Sequence, residues 1–393
     1  MKRKLVAIWL VVCMTFTLCA CTSTDKPQTD SESGEVVIPK TEETTETADQ
    51  LQIVELTDVD PIAVQEIPIY EDITLKNNEV IDILDISESA VFLAVNTESE
   101  LEQGVPRTNA LIIYEQDSRA ATVVEILENS DLYVTAGRMV EKDYVYTAIA
   151  SPSLPGGKGV VRRVGSSPWE FPFDADSIDG ETLPEPFAMP SGDVVFILCG
   201  EQPDDNNAFR VVSVSPDGTA TVIFTPENRA ATGYTMMIPY QSGYMFRYAS
   251  GSGYQFCVGD ENSVSPFAAV SDCRAVYPWW ICSDDTLLLA LGFGDNVNGI
   301  TSTRNAMVTK DGMISQLGDL QYTRFTLGNS GRIAAVNLDW EQYLLTFKNS
   351  ALSAVRIDLP ATATEFFRSN EGRLYAHLSN PRLGRVGLFE ILE

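Results

Sequence analysis

From about residue 61 to the carboxyl end, apolar residues recur in short alternating or continuous runs bounded by Gly, Asp, Asn, Ser or Pro, and no helical period persists. This pattern predicts an all-β chain. Within it one unit repeats: a polar turn followed by an apolar strand. It reads Ser87-Glu88-Ser89 before Ala90–Val95, Glu141-Lys142-Asp143 before Tyr144–Ala148, Ser191-Gly192-Asp193 before Val194–Leu198, and Ser242-Gly243 before Tyr244–Tyr248. It continues as Ser283-Asp284-Asp285 before Thr286–Leu291, Ser330-Gly331-Arg332 before Ile333–Val336, and Glu371-Gly372-Arg373 before Leu374–Leu378. The mean step is about 47 residues, the length of a four-stranded propeller blade.

A second hairpin follows in each of the first six units, as in Arg210–Val214 turning at Ser215-Pro216-Asp217-Gly218 into Thr221–Phe224. The last unit ends with Val386–Leu392 and lacks a fourth strand. An open sheet edge invites aggregation, and the segment Ile62–Leu75, which precedes the first repeat, can supply the missing strand. The expected fold is therefore a β-propeller over residues 61–393, with seven four-stranded blades closed by an amino-terminal strand. The Ser-Pro-Asp-Gly and Ser-Gly turns resemble those of bacterial WD40-like propeller repeats. That resemblance implies the architecture and no particular activity, because such turns serve any hairpin.

The amino terminus has a different pattern. Lys2, Arg3 and Lys4 precede an apolar run from Leu5 to Leu18, which is short for a membrane-spanning helix and ends at Leu18-Cys19-Ala20-Cys21. It resembles a bacterial lipoprotein signal. The resemblance implies cleavage after Ala20, diacylglycerol on the Cys21 thiol, and a mature protein lipid-anchored to a membrane on its extracytoplasmic side. Residues 21–60 follow as an expected disordered tether. After Cys21 they carry 2 basic against 11 acidic side chains, net −9, and little apolar material to offset chain entropy.

The whole chain has a net charge of −28, of which residues 61–393 hold −22, from 22 basic and 44 acidic side chains. Nucleic-acid partners are excluded by that balance, since phosphate contacts need clustered Lys and Arg. A single histidine, His377, also excludes histidine-rich metal sites and histidine triads.

In a four-stranded blade the loops between second and third strands open on the same face as the blade-to-blade loops. The long segments Thr97–Thr108, Ser151–Lys158, Asp174–Pro186, Gly200–Asn207, Thr225–Gly233 and Gly292–Thr303 all fall on that face, and binding groups concentrate on loops held by a rigid scaffold. The candidate binding residues are Glu98, Glu100, Glu102, Arg107, Asp174, Asp176, Asp179, Asp204, Asp205, Asn206, Arg229, Asp295, Asn296, Asn298, Arg304 and Trp340. Oxygen ligands at this density suit calcium. Asp174-x-Asp176-x-x-Asp179-Gly180 resembles a calcium loop, but its glycine stands one place late, and solvated acidic loops are the preferred reading. No cofactor is otherwise expected. Arg107, Arg229 and Arg304 could clamp a carboxylate bidentately, with surface solubility the plainer role. Trp169, Tyr277, Trp279 and Trp280 read as packing residues, whereas Trp340, in Asp339-Trp340-Glu341, is expected at the surface.

No catalytic residue is assigned. Paired carboxylates could serve a hydrolase or lyase, but in so acidic a chain any chosen pair has no specificity. Cys199, Cys257, Cys273 and Cys282 fit buried thiols better than disulfides, although an exported protein permits the latter. The expected function is a monomeric binding or scaffold module for a protein, glycan or envelope component, with a carboxylate-dependent hydrolase or lyase as the alternative.

Overall fold

A computed structural model describes residues 53–392 apart from 77, 98–106, 128–131, 142–143, 151–158, 174–185, 200–208, 227–236, 251–252, 272, 274, 282–285, 296–298, 310–313, 318–321, 328–331, 338, 349–350, 370 and 381–384. Two short strands, β1 (Ile53–Glu55) and β2 (Val64–Ile67), and one turn of helix, α1 (Ile69–Asp72), lead into a succession of antiparallel meanders. The first comprises β3 (Glu79–Ile86), β4 (Ala90–Thr97), β5 (Arg107–Glu115) and β6 (Ala120–Ile126). The second comprises β7 (Tyr133–Glu141), β8 (Tyr144–Ala150), β9 (Gly159–Gly165) and β10 (Trp169–Phe173). The third comprises β11 (Phe187–Ala188), β12 (Val194–Cys199), β13 (Phe209–Val214) and β14 (Ala220–Phe224).

The fourth runs through β15 (Ile238–Tyr240), β16 (Gly243–Ser250), β17 (Gly253–Gly259) and β18 (Val264–Val270), and the fifth through β19 (Ala275–Ile281), β20 (Thr286–Asp295), β21 (Gly299–Thr309) and β22 (Ile314–Leu317). The sixth is β23 (Tyr322–Leu327), β24 (Arg332–Asn337), β25 (Gln342–Lys348) and β26 (Ala351–Arg356). The chain ends with β27 (Glu365–Arg368), β28 (Leu374–Asn380) and β29 (Arg385–Ile391).

The protein is an all-β propeller. The first strand of each meander is innermost, and successive first strands touch: β3 meets β7, β7 meets β11, β19 meets β23, β23 meets β27, and β27 returns to β3. The second strands β4, β8, β12, β16 and β28 pack apolar residues on both faces, because both are covered by neighbouring sheets. Along β4, Val91, Leu93 and Val95 pack with Tyr375 and Leu388 of the last sheet, while Ala90, Phe92 and Ala94 pack with Val134, Val145 and Ile149 of the second. That two-sided burial explains the unbroken run Ala-Val-Phe-Leu-Ala-Val.

Seven four-stranded blades were expected, and the strands pair differently at one sheet. Six sheets have four strands, and the sheet built on β23–β26 has five. Its extra member is β1, which runs parallel to β26 with Ile53 opposite Leu352 and Glu55 opposite Ala354. β1 lies inside the 21–60 stretch expected to be disordered. The average composition of that stretch conceals the β-branched pair Ile53-Val54, and the Tyr343 hydroxyl, 2.9 Å from Glu55 Oε1, fixes the strand's far end.

The last sheet is completed by β2, antiparallel to β29 with Val64 opposite Ile391 and Ile67 opposite Leu388. This is the expected pairing of the first and last strands. The helix α1 then fills the seam between last and first sheets. Arg119 donates to Asp72 at 2.7 and 2.8 Å and to Glu71 at 2.9 Å, and the Tyr114 hydroxyl donates to Asp72 at 2.6 Å.

The tight turns follow their chemistry. Between β13 and β14, Asp217 Oδ1 accepts from the Ser215 hydroxyl at 2.6 Å and from the Thr219 amide at 3.0 Å. Gly218 takes φ +87° there, and a Cβ on it would stand 3.0 Å from Trp169 Cβ on the neighbouring sheet.

Candidate functional site

Strand register fixes which ends share a face. Glu79, at the start of innermost β3, lies opposite Thr97, and Thr97 lies opposite Arg107 across the β4–β5 loop. Tyr133, at the start of β7, likewise lies opposite Ala150 beside the β8–β9 loop. The starts of these innermost strands therefore lie at the same end of their sheets as the junctions between second and third strands.

Of the predicted site residues, Glu98, Glu100, Glu102, Asp174, Asp176, Asp179, Asp204, Asp205, Asn206, Arg229, Asn296 and Asn298 lie outside the described residues. Arg107 is exposed at the first position of β5. Asp295 and Arg304 correct an expectation, because Gly292–Thr303 is a hairpin extension and not a long loop. β20 and β21 stay paired through Phe293 opposite Ser302 and Asp295 opposite Gly299, with a bulge at Phe293/Gly294. The β-branched Ile300 and Thr301 favour strand, with Thr301 the extra residue of the bulge on β21.

Trp340 stands where the sequence predicts. It is 45% exposed, with φ +66°, in the connection between β24 and β25. Asn337 builds that turn: its Oδ1 accepts from the amides of Asp339 at 3.0 Å and Glu341 at 2.8 Å, and its carbonyl accepts from the Trp340 amide at 3.2 Å. The Trp340 carbonyl accepts from Gln342 Nε2 at 3.0 Å and from the Thr362 hydroxyl at 3.3 Å. A left-handed backbone is unusual for a large side chain, so these bonds hold Trp340 in its turn against a local preference.

A polar group at the innermost strands went unread in the sequence. Asp82 on β3 and Glu365 on β27 both act on Tyr133 of β7, and burial first, then those two carboxylates, pushes the Tyr133 phenol above its ordinary range. Asn96, 1% exposed, donates from Nδ2 to Asp82 Oδ2 at 2.5 Å, while its Oδ1 meets no donor. Nearby, Asn109 Nδ2 reaches Glu79 Oε1 at 2.8 Å and Thr97 Oγ1 at 2.7 Å. The buried Thr108 hydroxyl accepts from the Val134 amide at 3.0 Å, tying the first sheet to the second.

His377 is 2% exposed and 2.7 Å from the Tyr70 hydroxyl through Nε2, with Phe367 also against its ring. Burial lowers the imidazole to about 4, so at neutral pH it is an uncharged packing and hydrogen-bonding group in the last sheet. Burial first, then Asp82, raises the Tyr70 phenol. Cys257 and Cys273 are buried, and burial pushes the Cys257 thiol up to about 12, far from a reactive thiolate. Among the described residues no three His, Cys, Asp or Glu side chains are grouped as metal ligands, and no helix is long and apolar enough to cross a membrane.

No protein-family description matches the chain. No curated protein sequence matches it either. Solved structures do. The chain is similar to the β-propeller domain of the Trilobed protease from Pyrococcus furiosus, at 8% identity over 81% of this chain and 95% of that one, with a TM-score of 0.51. It is similar to the polysaccharide lyase Uly1 at 10% identity, 88% and 98% coverage and a TM-score of 0.50. Oligogalacturonate lyase from Vibrio parahaemolyticus gives 10% identity, 81% and 92% coverage and a TM-score of 0.50. At these identities the likeness is one of fold, and the fold serves many activities.

Proposed function

We propose that the chain is a lipoprotein anchored through Cys21 on the extracytoplasmic side of a membrane, whose propeller is a monomeric binding module for a protein, glycan or envelope component. In this reading the five-stranded sheet takes the seventh place in one ring. The observation that carries the binding reading is Trp340, an exposed indole held by the Asn337 turn at the junction of the second and third strands of its sheet. A rigid aromatic presented at low entropic cost is a common binding anchor. The test has two arms. Metabolic labelling with a fatty acid should mark the wild-type chain and leave Cys21→Ala unlabelled. An envelope pull-down with the full chain should recover a component that Trp340→Ala loses while its melting temperature stays within about a degree. Labelling of Cys21→Ala overturns the anchor, and an unchanged pull-down overturns the face.

The alternative, a carboxylate-dependent hydrolase or lyase, draws on Asp82 and Glu365, carboxylates of two innermost strands whose charges, after burial, both raise the Tyr133 phenol. Turnover of an acidic polysaccharide abolished by Asp82→Asn would select it. Absence of turnover, with Trp340-dependent capture intact, would leave the binding reading.

A further inference from the structure

We propose that the segment Glu35–Ile38, ahead of β1, docks as a further strand on the free edge of β6. An exposed edge strand offers unpaired backbone groups to other strands, and proteins blunt it by covering it, shortening it or placing Pro on it. Six of the seven sheets show one of these devices at the outer edge. β26 is covered by β1, β10 carries Pro172, and β18 carries Pro266. β14, β22 and β2 have only five, four and four residues. β6 shows none. It has seven residues without Pro, no described strand lies beyond it, and Val123 is 52% and Ile126 70% exposed. Its one charge does not guard the edge, because Glu125 Oε1 accepts from Arg162 Nη1 of the second sheet at 2.9 Å.

The chain ahead of β1 supplies an occupant. Residues 22–52 lie outside the described residues and hold one continuous apolar run, the β-branched Val36-Val37-Ile38, bounded by Gly34 and Pro39 as strands commonly are. β1 is the precedent: it too is a short β-branched stretch in acidic surroundings, and it lies on the outer edge of another sheet. The reach suffices. Fourteen residues, 39–52, separate Ile38 from Ile53 and span at most about 50 Å. From the sheet that holds β1, the first sheet is two places on through the last, since β23 meets β27 and β27 meets β3. Sheets that pack about 10 Å apart and fan outward put the two outer edges roughly 40 Å apart. Tethering to the same chain raises the local concentration of the segment and lets so short a strand compete. Docking would leave 13 residues between Cys21 and Glu35, a reach of about 45 Å, where the undocked chain has 31 before Ile53 and a reach of about 110 Å. Only this shorter standoff rests on the lipid-anchor reading; the docking does not, and a failure of fatty-acid labelling leaves it standing.

Hydrogen–deuterium exchange of the full chain in detergent tests the docking, with Val36→Asp/Val37→Asp as the undocked variant and the amides of β12 as an internal reference that should not move. In wild type, the β6 amides that face away from β5 and the amides of residues 36–38 should exchange about tenfold or more slowly than in the variant. Val123→Lys, a charge placed on the exposed edge, should speed residues 36–38 by a similar factor while the melting temperature stays within about a degree. Equal exchange of β6 in wild type and Val36→Asp/Val37→Asp overturns the proposal, whether the edge is open in both or covered in both. Protection of β6 that grows with protein concentration would make a second copy the occupant and would overturn it as well.

Discussion

His377 is the only histidine in the chain, so its titration can be followed without assignment ambiguity. Buried against Tyr70 and Phe367, it is held at about 4 against an ordinary 6.5. The direction of the resulting pH dependence follows. Between those values the unfolded chain binds a proton that the folded chain refuses, so stability is fully present above pH 6.5 and drains away as pH falls toward 4. A difference of 2.5 pKa units is about 3 kcal/mol, and about 2 kcal/mol of it is gone by pH 5. Two measurements test this. Imidazole carbon–proton correlations of selectively labelled protein should show one resonance titrating well below 5.5. Urea unfolding of wild type and His377→Gln, compared from pH 8 to pH 5, should give a difference curve that falls by about 2 kcal/mol, since carboxylate contributions cancel. An imidazole that titrates near 6.5, or two stability curves that stay parallel, would refute the assignment of His377 as a buried neutral residue.

Three further outcomes follow from single contacts. Asp85, buried between first and second sheets, accepts from the Met139 amide at 2.7 Å and from the Ile86 amide at 3.0 Å; Asp85→Ala should cost about 1–3 kcal/mol for each amide left unpaired, read as a lower urea midpoint with an unchanged slope. Gly218→Ala should cost about 1 kcal/mol or more, because φ +87° and the nearby Trp169 Cβ at 3.0 Å both oppose a side chain; an unchanged melting temperature would contradict the turn. Tyr343→Phe removes the hydroxyl that reaches Glu55 at 2.9 Å, and limited proteolysis should then cut the 53–61 segment faster while the remaining propeller stays intact.

What the sequence made legible is the part of each blade that must be apolar on two faces. Second strands such as β4, β12 and β28 are buried by neighbours on both sides, so their runs are long, and the polar turn before each is tight; both signals survive without any knowledge of the fold. The innermost strands left little trace. β11 has two residues, β15 three and β27 four, too short for a period to show, and Glu365 lies on β27; Asp82 and Tyr133 lie on the longer β3 and β7, where single polar residues among apolar ones carry no signal of their own. The reading that Gly292–Thr303 is a loop failed because glycine and asparagine there suggest a turn, whereas cross-strand pairing extends the hairpin to Asp295 opposite Gly299. β1 was hidden for a related reason, since three residues cannot outweigh the acidic composition around them.

The placement of β1 and β2 bears on how an anchored propeller would carry load. Both strands lie between the proposed anchor at Cys21 and the first meander, and each pairs with a different sheet: β1 in parallel with β26, β2 antiparallel with β29. Force or collision along the tether thus reaches β1 before it reaches β2. β1 has only three ladder positions, while β2 has four and is backed by α1, whose Asp72 is held by Arg119 and Tyr114. The weaker latch stands outside the stronger, so loss of β1 spares the strand that completes the last sheet. Breaking the inner latch is the informative perturbation. Arg119→Ala, leaving β1 untouched, should lower the global melting temperature, because it loosens the seam where the first and last sheets meet. Tyr343→Phe should leave that temperature within about a degree and change only the proteolysis of the leading segment. Equal global destabilisation by the two substitutions would mean that β1 is part of the ring closure and not an outer latch.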